Sequence, residues 1–203
     1  MAEPRKRPGP VVRKKEIIEA AIEEFGSKNY NWATTKDIAQ RAGVSERVVF
    51  FYFNSKKELY RQVTQQITME VVGALVRGRP PTDDLRTYVK MGIRNFIDFL
   101  VENPLKVKLL MQSFDTVADP DLREDFVNLL QGLYQFVHSF LRDAEQKGQI
   151  PEELIETASL CLSGMCVVVV YAEYFGLDWF HEEHEDIFSI GDRFVDLITS
   201  QMK

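Results

Sequence analysis

The chain has 203 residues, of which 45% are hydrophobic and 28% charged, as in a globular protein large enough to bury a core without disulfides or metals. With only two cysteines and a charged N-terminus, the chain is not expected to be a secreted disulfide scaffold. Its longest apolar run, 158–171, is shorter than the ~20 residues of a membrane span, which argues against a membrane protein. We therefore expect a cytoplasmic protein with no membrane partner, whose net charge of −6 argues against nucleic-acid binding over the whole surface.

Positive charge is concentrated at the N-terminal end. Residues 1–60 contain 12 Lys and Arg against 8 Asp and Glu, whereas the rest of the chain contains 13 against 23. Because attraction to phosphate is screened beyond ~10 Å, DNA would bind at this basic end. Residues 1–15 also contain three prolines and a glycine, which predicts a disordered basic arm. Within it, Arg5, Lys6 and Arg7 could follow the minor groove.

The first predicted helix carries apolar residues at helical spacing from Ile17 to Phe25. Asn29 can adopt the left-handed conformation that ends a helix. Thr34 and Asp37 resemble a capping box in front of a short helix over 35–42.

Gly43 ends that short helix and allows a tight turn. Ser45 can cap a second short helix over 46–53. Asn54 then breaks the pattern, and Ser55 caps a long helix that runs to about Arg77.

The clearest break in the chain is Gly78–Pro81, and a helical pattern continues beyond it. Further helices are predicted over 83–102, 105–116, 121–147, 152–176 and 183–201. Val167–Val170 is β-prone but lies inside a longer helical run, so no strand is predicted. The fold class is therefore all-α.

The two short helices and the glycine turn between them have the geometry of a helix-turn-helix, whose second helix enters the major groove. Ile38 and Ala39 on the first helix, with Val49 and Phe53 on the second, are predicted to form its core. The small side chain of Ala39 allows the two helices to cross closely.

Two runs of residues carry a resemblance to a known family. Residues 33–45 (ATTKDIAQRAGVS) and 52–60 (YFNSKKELY) are similar to the N-terminal signature of the tetracycline-repressor (TetR) family. The resemblance implies a homodimer of about nine helices, with a basic arm and a three-helix DNA-binding domain over 1–60. It implies a helical ligand-binding and dimerisation domain over 61–203, coupled to the first by the fourth helix, with the last two helices pairing across the dimer.

The resemblance also implies a function. The chain would be a ligand-responsive transcriptional regulator, usually a repressor, which a small, mainly apolar effector releases from a palindromic operator in double-stranded DNA. A DNA-binding protein without an effector is the alternative. No enzyme activity, cofactor or metal is expected.

Three residues of the second short helix depart from the family pattern. Arg47 stands where the family often has Gly, Val48 where it often has Thr or Ser, and Phe50 where it usually has Tyr. Phe50 lacks the hydroxyl that could reach a phosphate, whereas Arg47 adds a cation. These departures concern base preference rather than the fold.

Candidate DNA contacts follow from side-chain chemistry. Arg47 suits bidentate pairing to guanine, Val48 could meet a thymine methyl, and Glu46 could accept from cytosine or favour the helix N-terminus by its charge. Phe50 and Phe51 are adjacent and cannot both face a core, so one of them is expected at the DNA or at the junction with the fourth helix. Side chains able to donate to phosphate are Thr34, Thr35, Lys36, Ser45, Tyr52 and Lys56, and Lys36 could reach a base instead.

Residues 83–180 are rich in aromatic side chains with few charges on their inner stripes, which suits an apolar ligand cavity. Polar candidates for orienting the ligand are Gln112, His138 and Tyr171. A core histidine with satisfied hydrogen bonds is the alternative for His138.

Two further clusters of residues could support other chemistry. His181, His184 and Glu185 share a helical face, but their order is not the His-Glu-x-x-His of zinc proteases, and an acidic, solvated helix start is the alternative. Cys161 and Cys166 point ~140° apart on a helix. They are expected to be small core residues, with a redox sensor as the alternative.

Two other classes of protein compete with the regulator. An all-helical enzyme would need a phosphate loop, a paired nucleophile and base, or a convincing metal set, and none is found. A non-specific nucleoid-type protein would bind DNA with a steep salt dependence and little sequence preference.

A homodimer that pairs through helices 152–176 and 183–201 is also predicted from the sequence itself. The surface of residues 160–170 is apolar on more sides than one body can cover, and Gly164 permits close approach of a second helix.

Overall fold

A computed structural model describes residues 10–78 and 84–176, together with Asp192, Arg193, Asp196 and Leu197. Over these residues the chain contains eight α-helices, one 3₁₀ turn and no strand, which confirms the predicted all-α class. The helices are α1 (Pro10–Trp32), α2 (Thr35–Arg41), α3 (Glu46–Phe53), α4 (Lys56–Leu75), α5 (Leu85–Glu102), α6 (Pro104–Asp115), α7 (Pro120–Gln146) and α8 (Glu152–Phe175), with the 3₁₀ turn over Thr116–Ala118.

The first helix begins earlier than predicted. Residues 10–15, which the sequence assigned to a disordered arm, are the first turns of α1. Proline is favoured at the first helical position because the N–H that it lacks would have no partner there. Ion pairs between Arg13 and Glu16 (2.9 Å) and between Lys15 and Glu19 (3.6 Å) also support these turns. Arg5, Lys6 and Arg7 lie outside the described residues.

The predicted break at Asn29 is present, because its backbone has φ 61° and ψ 171° inside α1. Asparagine tolerates positive φ better than most residues. Ser45 stands at the predicted N-cap position of α3, but its hydroxyl accepts no hydrogen bond from the start of that helix. The amide of Val48, which such a cap would engage, donates instead to the carbonyl oxygen of Ser45 (2.9 Å).

The chain divides into two compact units, Met1–Gln66 and Ile67–Lys203. The division falls inside α4, six residues beyond the boundary that the sequence predicted. In the first unit, α2 packs on α1 and on α3. The side chains at its centre are fully buried and belong to all four helices: Phe25, Ile38, Val49, Phe53 and Leu59.

The second unit is built around α8, which packs on α5, α6 and α7. Ile155, Leu141 and Leu100, one from each of three helices, are buried at its centre. The end of α4 lies against α5 at Gly92, where an added Cβ would be 3.3 Å from the carbonyl oxygen of Leu75. Asn95 on the next turn of α5 donates to the carbonyl oxygen of Arg77 (2.8 Å).

By length and composition alone, α8 also satisfies the criteria for a membrane span over Glu152–Ala172. Apolar core helices of soluble proteins satisfy the same criteria. One face of α8 is buried against its neighbours, whereas Leu160, Gly164 and Val168 are exposed at helical spacing on another. This exposed apolar face carries the prediction of a dimer.

Candidate DNA-binding surface and effector cavities

A network of charges anchors α2 on α1. The carboxylate of Glu24 is buried and pairs with Lys28 (2.5 Å) and with Arg41 of α2 (3.3 Å). Arg41 also pairs with Glu23 (2.6 Å), and Lys28 reaches Asp37 (3.1 Å). Because a buried carboxylate needs such partners, the position of α2 depends on them.

The ion pair of Asp37 and Lys28 in this network keeps its charges across neutral pH. Hydrogen bonds from Lys28 and Thr34 hold the pKa of Asp37 below its usual range. The stability that this pair contributes is therefore present above about pH 4 and is lost as pH falls through the lowered pKa. Glu24, and then Asp37, raise the pKa of Lys28, so the contribution of Lys28 is fully present below about pH 10 and is lost as pH rises through the raised pKa.

The start of α2 is organised by its two threonines. Thr34 is exposed and caps the helix, since its hydroxyl oxygen accepts from the amide of Asp37 (3.1 Å). Thr35 is buried, and its hydroxyl donates to the carboxylate of Glu46 at the start of α3. Thr35 and Glu46, both predicted DNA contacts, therefore join the two helices of the motif. Lys36 is exposed beside them.

The outer face of α3 presents the residues predicted to meet bases. Arg47 is exposed and Val48 is half-buried. Phe51 is 79% exposed and Phe50 is 42% exposed, so both aromatics lie outside the core. Tyr52 is half-buried, and its ring is 5.2 Å from that of Phe51. Ser45 is exposed just before the helix, and its hydroxyl is not used as a cap.

Lys56 has structural contacts that the sequence did not predict. Its ammonium donates to the carbonyl oxygens of Ala33 (2.9 Å) and Asn31 (3.5 Å), and it lies 4.6 Å from the centre of the Tyr30 ring. Burial lowers the pKa of Lys56. Lys56 thus holds the segment between α1 and α2 in place, and this role is independent of the predicted contact with a phosphate.

Two apolar cavities lie in the second unit. The first, here the α6 cavity, spans about 610 Å³ of space that includes open solvent. The second, here the α5 cavity, spans about 700 Å³ and likewise includes open solvent. Cys166 lines both cavities, and burial raises the pKa of its thiol to about 12.

The residues that line the α6 cavity are Thr68, Val71, Val72, Phe96, Leu110, Met111, Phe126, Leu129, Leu130, Leu133, Cys166, Val167, Val170 and Tyr171. Those that line the α5 cavity are Leu75, Val76, Tyr88, Val89, Met91, Gly92, Ile93, Phe136, Val137, Phe140, Leu162, Met165 and Cys166. Neither set contains a charged side chain. Such a lining favours an apolar ligand because a charged group would lose its hydration there.

Comparison with known proteins identifies the first unit. Residues 17–63 match the family model of bacterial regulatory proteins of the tetR family. The transcriptional activator FasR of Mycolicibacterium smegmatis is 31% identical over 110 residues, which cover 54% of this chain and 50% of FasR. The regulator BetI of Agrobacterium fabrum is 30% identical over 88 residues, which cover 41% of this chain and 43% of BetI.

Solved structures share the whole fold. A TetR-family regulator from Rhodococcus has a TM-score of 0.78 at 14% identity, with 92% of this chain and 98% of that chain covered. The N-terminal part of this chain thus matches the tetR family model, and the fold is shared with a TetR-family regulator of known structure. The matches to FasR and BetI span about half of the length of those proteins or less, whereas the structural match covers both units.

FasR and BetI, like the regulator UidR of Escherichia coli (25% identical over 149 residues, 68% of this chain and 69% of UidR), are named as transcriptional regulators. Within the part of the chain that the structure describes, no group of three or more His, Cys, Asp and Glu side chains could hold a metal. His181, His184 and Glu185 lie outside the described residues.

Only one of the three polar residues predicted to orient a ligand lines either of the two cavities. Tyr171 lines the α6 cavity, but Gln112 and His138 line neither of the two cavities. Gln112 is buried on α6 beside Met111, and its Oε1 accepts no hydrogen bond from the described residues. His138 is half-buried, with its ring 5.8 Å from that of Tyr134.

Sequence analysis missed three groups of residues: the buried Glu24 network, the wall that α4 contributes to the cavities, and the exposed Trp32. The first could have been suspected, since Glu24 falls on the apolar stripe of α1 between Ala21 and Phe25. The second could not, because an apolar helical position does not show whether it faces a neighbour or a space.

Replacing Arg47 with alanine should relax base preference. Arg47 is exposed near the start of α3, where a guanidinium can pair with guanine in the major groove. We expect discrimination at one position of the operator to fall by ~1–3 kcal/mol. Binding to a library of operator variants measures this change, with Lys36→Ala as the matched loss of a nearby cation. If the relative affinities of all variants stayed the same, Arg47 would not read a base.

Proposed function

We propose that this protein is a ligand-controlled repressor of the TetR type that dissociates from a palindromic operator when a mainly apolar effector occupies the cavities of its second unit. The observation that carries this proposal is that α4 contributes side chains to the walls of both cavities. Thr68, Val71 and Val72 line the α6 cavity and Leu75 lines the α5 cavity, all on the helix whose first residue is Lys56. An effector in either cavity would contact α4 directly.

The contacts at the two ends of α4 support coupling between effector binding and DNA binding through this helix. The first turn supports the segment before α2, through the contacts of Lys56 with the carbonyl oxygens of Asn31 and Ala33. The last turn is held on α5 at Gly92 and Asn95. An effector that favours one position of the helix over another shifts the population of DNA-binding forms, because a ligand acts only through differential affinity.

For the effector we propose a molecule with a long acyl chain. The apolar, uncharged lining of both cavities supports an aliphatic chain more than a charged metabolite. Among the structural neighbours, the FadR regulator of Bacillus subtilis was solved in complex with stearoyl-CoA (TM-score 0.70, 16% identity, with 93% of this chain and 99% of that chain covered). Stearoyl-CoA is therefore the first compound to test.

The proposed repressor acts as a cytoplasmic homodimer. The exposed face of α8 supports the dimer, since Leu160 is 67% exposed and Val168 is 47% exposed on either side of Gly164. Exposed apolar patches of this kind mark contact surfaces. The direction of regulation is tested separately, because FasR is named an activator: deletion of the gene should raise transcription from the promoter that carries the operator.

Native mass spectrometry tests assembly and ligand together. An operator duplex is first selected on the protein from a random-sequence pool, and the complex is then titrated with stearoyl-CoA. We expect two chains per duplex without ligand, and free DNA with a ligand-bound dimer at saturation. A single chain bound to the duplex would contradict the dimer. A ligand-bound complex that retains its DNA would contradict control by this effector.

A further inference from the structure

Trp32, at the end of α1, has an exposed indole ring. Its residue surface is 77% exposed. Tryptophan is usually largely buried, and an exposed large aromatic ring often marks a contact surface. Its fused ring is apolar, and its indole N–H is a hydrogen-bond donor that seeks a partner when covered.

The backbone on both sides of Trp32 is held in place. Ala33 is buried, and its amide donates to the carbonyl oxygen of Asn29 (3.1 Å). The ammonium of Lys56 donates to the carbonyl oxygens of Asn31 and Ala33, the residues immediately before and after Trp32. A large side chain on a rigid backbone loses little conformational freedom on binding, which is typical of residues that contribute strongly to an interface.

The position of Trp32 points to the partner. It comes two residues before Thr34, the exposed N-cap of α2. In a helix-turn-helix, the first helix crosses the DNA backbone while the second lies in the major groove. Trp32, Thr34 and Lys36 are thus exposed at alternate positions just before and at the start of α2, the helix that would cross the sugar–phosphate chain in the proposed function.

We propose that Trp32 is a further DNA-contacting residue, which covers a deoxyribose with its ring and donates its indole N–H to a phosphate oxygen. Backbone contacts carry no base information. Because the indole is neutral, its contact releases no counterion. Trp32 therefore strengthens binding to every sequence alike and leaves the salt dependence of binding unchanged.

Fluorescence reads this contact directly, because the chain has only two tryptophans, Trp32 and Trp179. In a Trp179→Phe variant, all tryptophan emission comes from Trp32. We expect acrylamide to quench it strongly in free protein and several-fold less with a saturating operator duplex. The same loss of quenching on concentrating the protein without DNA would instead show contact with a second copy, and would overturn the proposal.

Affinity measurements with matched variants complete the test. Trp32→Ala should weaken binding about fivefold to tenfold, equally for operator and random duplex, with an unchanged slope of log affinity against log salt. Trp32→Phe, which keeps a ring, should recover part of the loss, and Val101→Ala, which trims an exposed side chain of the second unit, should lose nothing. Unchanged affinity for Trp32→Ala, or a ring that stays fully quenchable on DNA, would refute the inference. A wild-type protein that binds no duplex would instead refute the proposed function.

Discussion

Replacing Cys166 with phenylalanine is expected to weaken the effector response while leaving operator binding intact. Cys166 lines both cavities, so a larger side chain at this one position reduces the space of each. Overpacking costs ~1–3 kcal/mol of stability when neighbours must move, and the open cavities beside this residue keep the cost at the low end. An effector that needs this space should bind at least about tenfold more weakly, a loss of ~1.4 kcal/mol.

Titration of stearoyl-CoA into the operator complex measures this loss. Cys166→Ala is the matched control, since it removes the thiol and keeps the cavities open. It should respond like the natural protein, because a thiol with a pKa of about 12 is protonated and inert at neutral pH. A full effector response in the Cys166→Phe variant would show that the effector binds elsewhere.

Replacing Phe53 with alanine is expected to unfold the DNA-binding unit. Phe53 is fully buried at the end of α3, and removal of such a ring typically costs ~3–5 kcal/mol. A whole domain is usually stable by only ~5–15 kcal/mol. The midpoint of denaturant unfolding should therefore fall sharply, and operator binding should be lost with it.

Phe51, two residues earlier on the same helix, is the matched control for Phe53. It is 79% exposed, so Phe51→Ala should leave the free energy of unfolding within ~0.5 kcal/mol of that of the natural protein. The substitution should weaken operator binding alone. Circular dichroism in urea and anisotropy of a labelled duplex measure the two effects. If Phe51→Ala destabilised the unit as much as Phe53→Ala, the assignment of an inner and an outer face to α3 would be wrong.

The fold of the DNA-binding unit was largely predictable because its signals are local. Thr34 caps α2 through the amide of Asp37, as the spacing of the two residues indicated. Gly43 has φ +64°, which a tight turn requires and glycine permits. The errors were also local. The first turns of α1 were assigned to a disordered arm because of their prolines, although Pro10 occupies the one helical position that favours proline.

The site was less predictable because its side chains act on distant partners. Thr35 and Glu46 were both predicted to reach DNA, and the structure shows them bonded to each other across 11 residues of sequence. Lys56 shows the same limit, with contacts to Asn31 and Ala33 on the segment before α2. Gln112 and His138 were predicted as ligand contacts because they are polar residues in an apolar region. A cavity is a gap in the packing between helices, and the sequence of one helix does not show where its neighbours leave a gap.

The most direct test of the central claim is a binding cycle with the operator and stearoyl-CoA. The affinity for the operator is measured with and without saturating stearoyl-CoA, and the affinity for stearoyl-CoA is measured with and without saturating operator. If one conformational equilibrium links the cavities to the α2–α3 surface, both affinities fall by the same factor, typically ~5–150. If stearoyl-CoA binds to the cavities and neither affinity changes, the two sites are independent and this protein is not an effector-controlled regulator of the kind proposed.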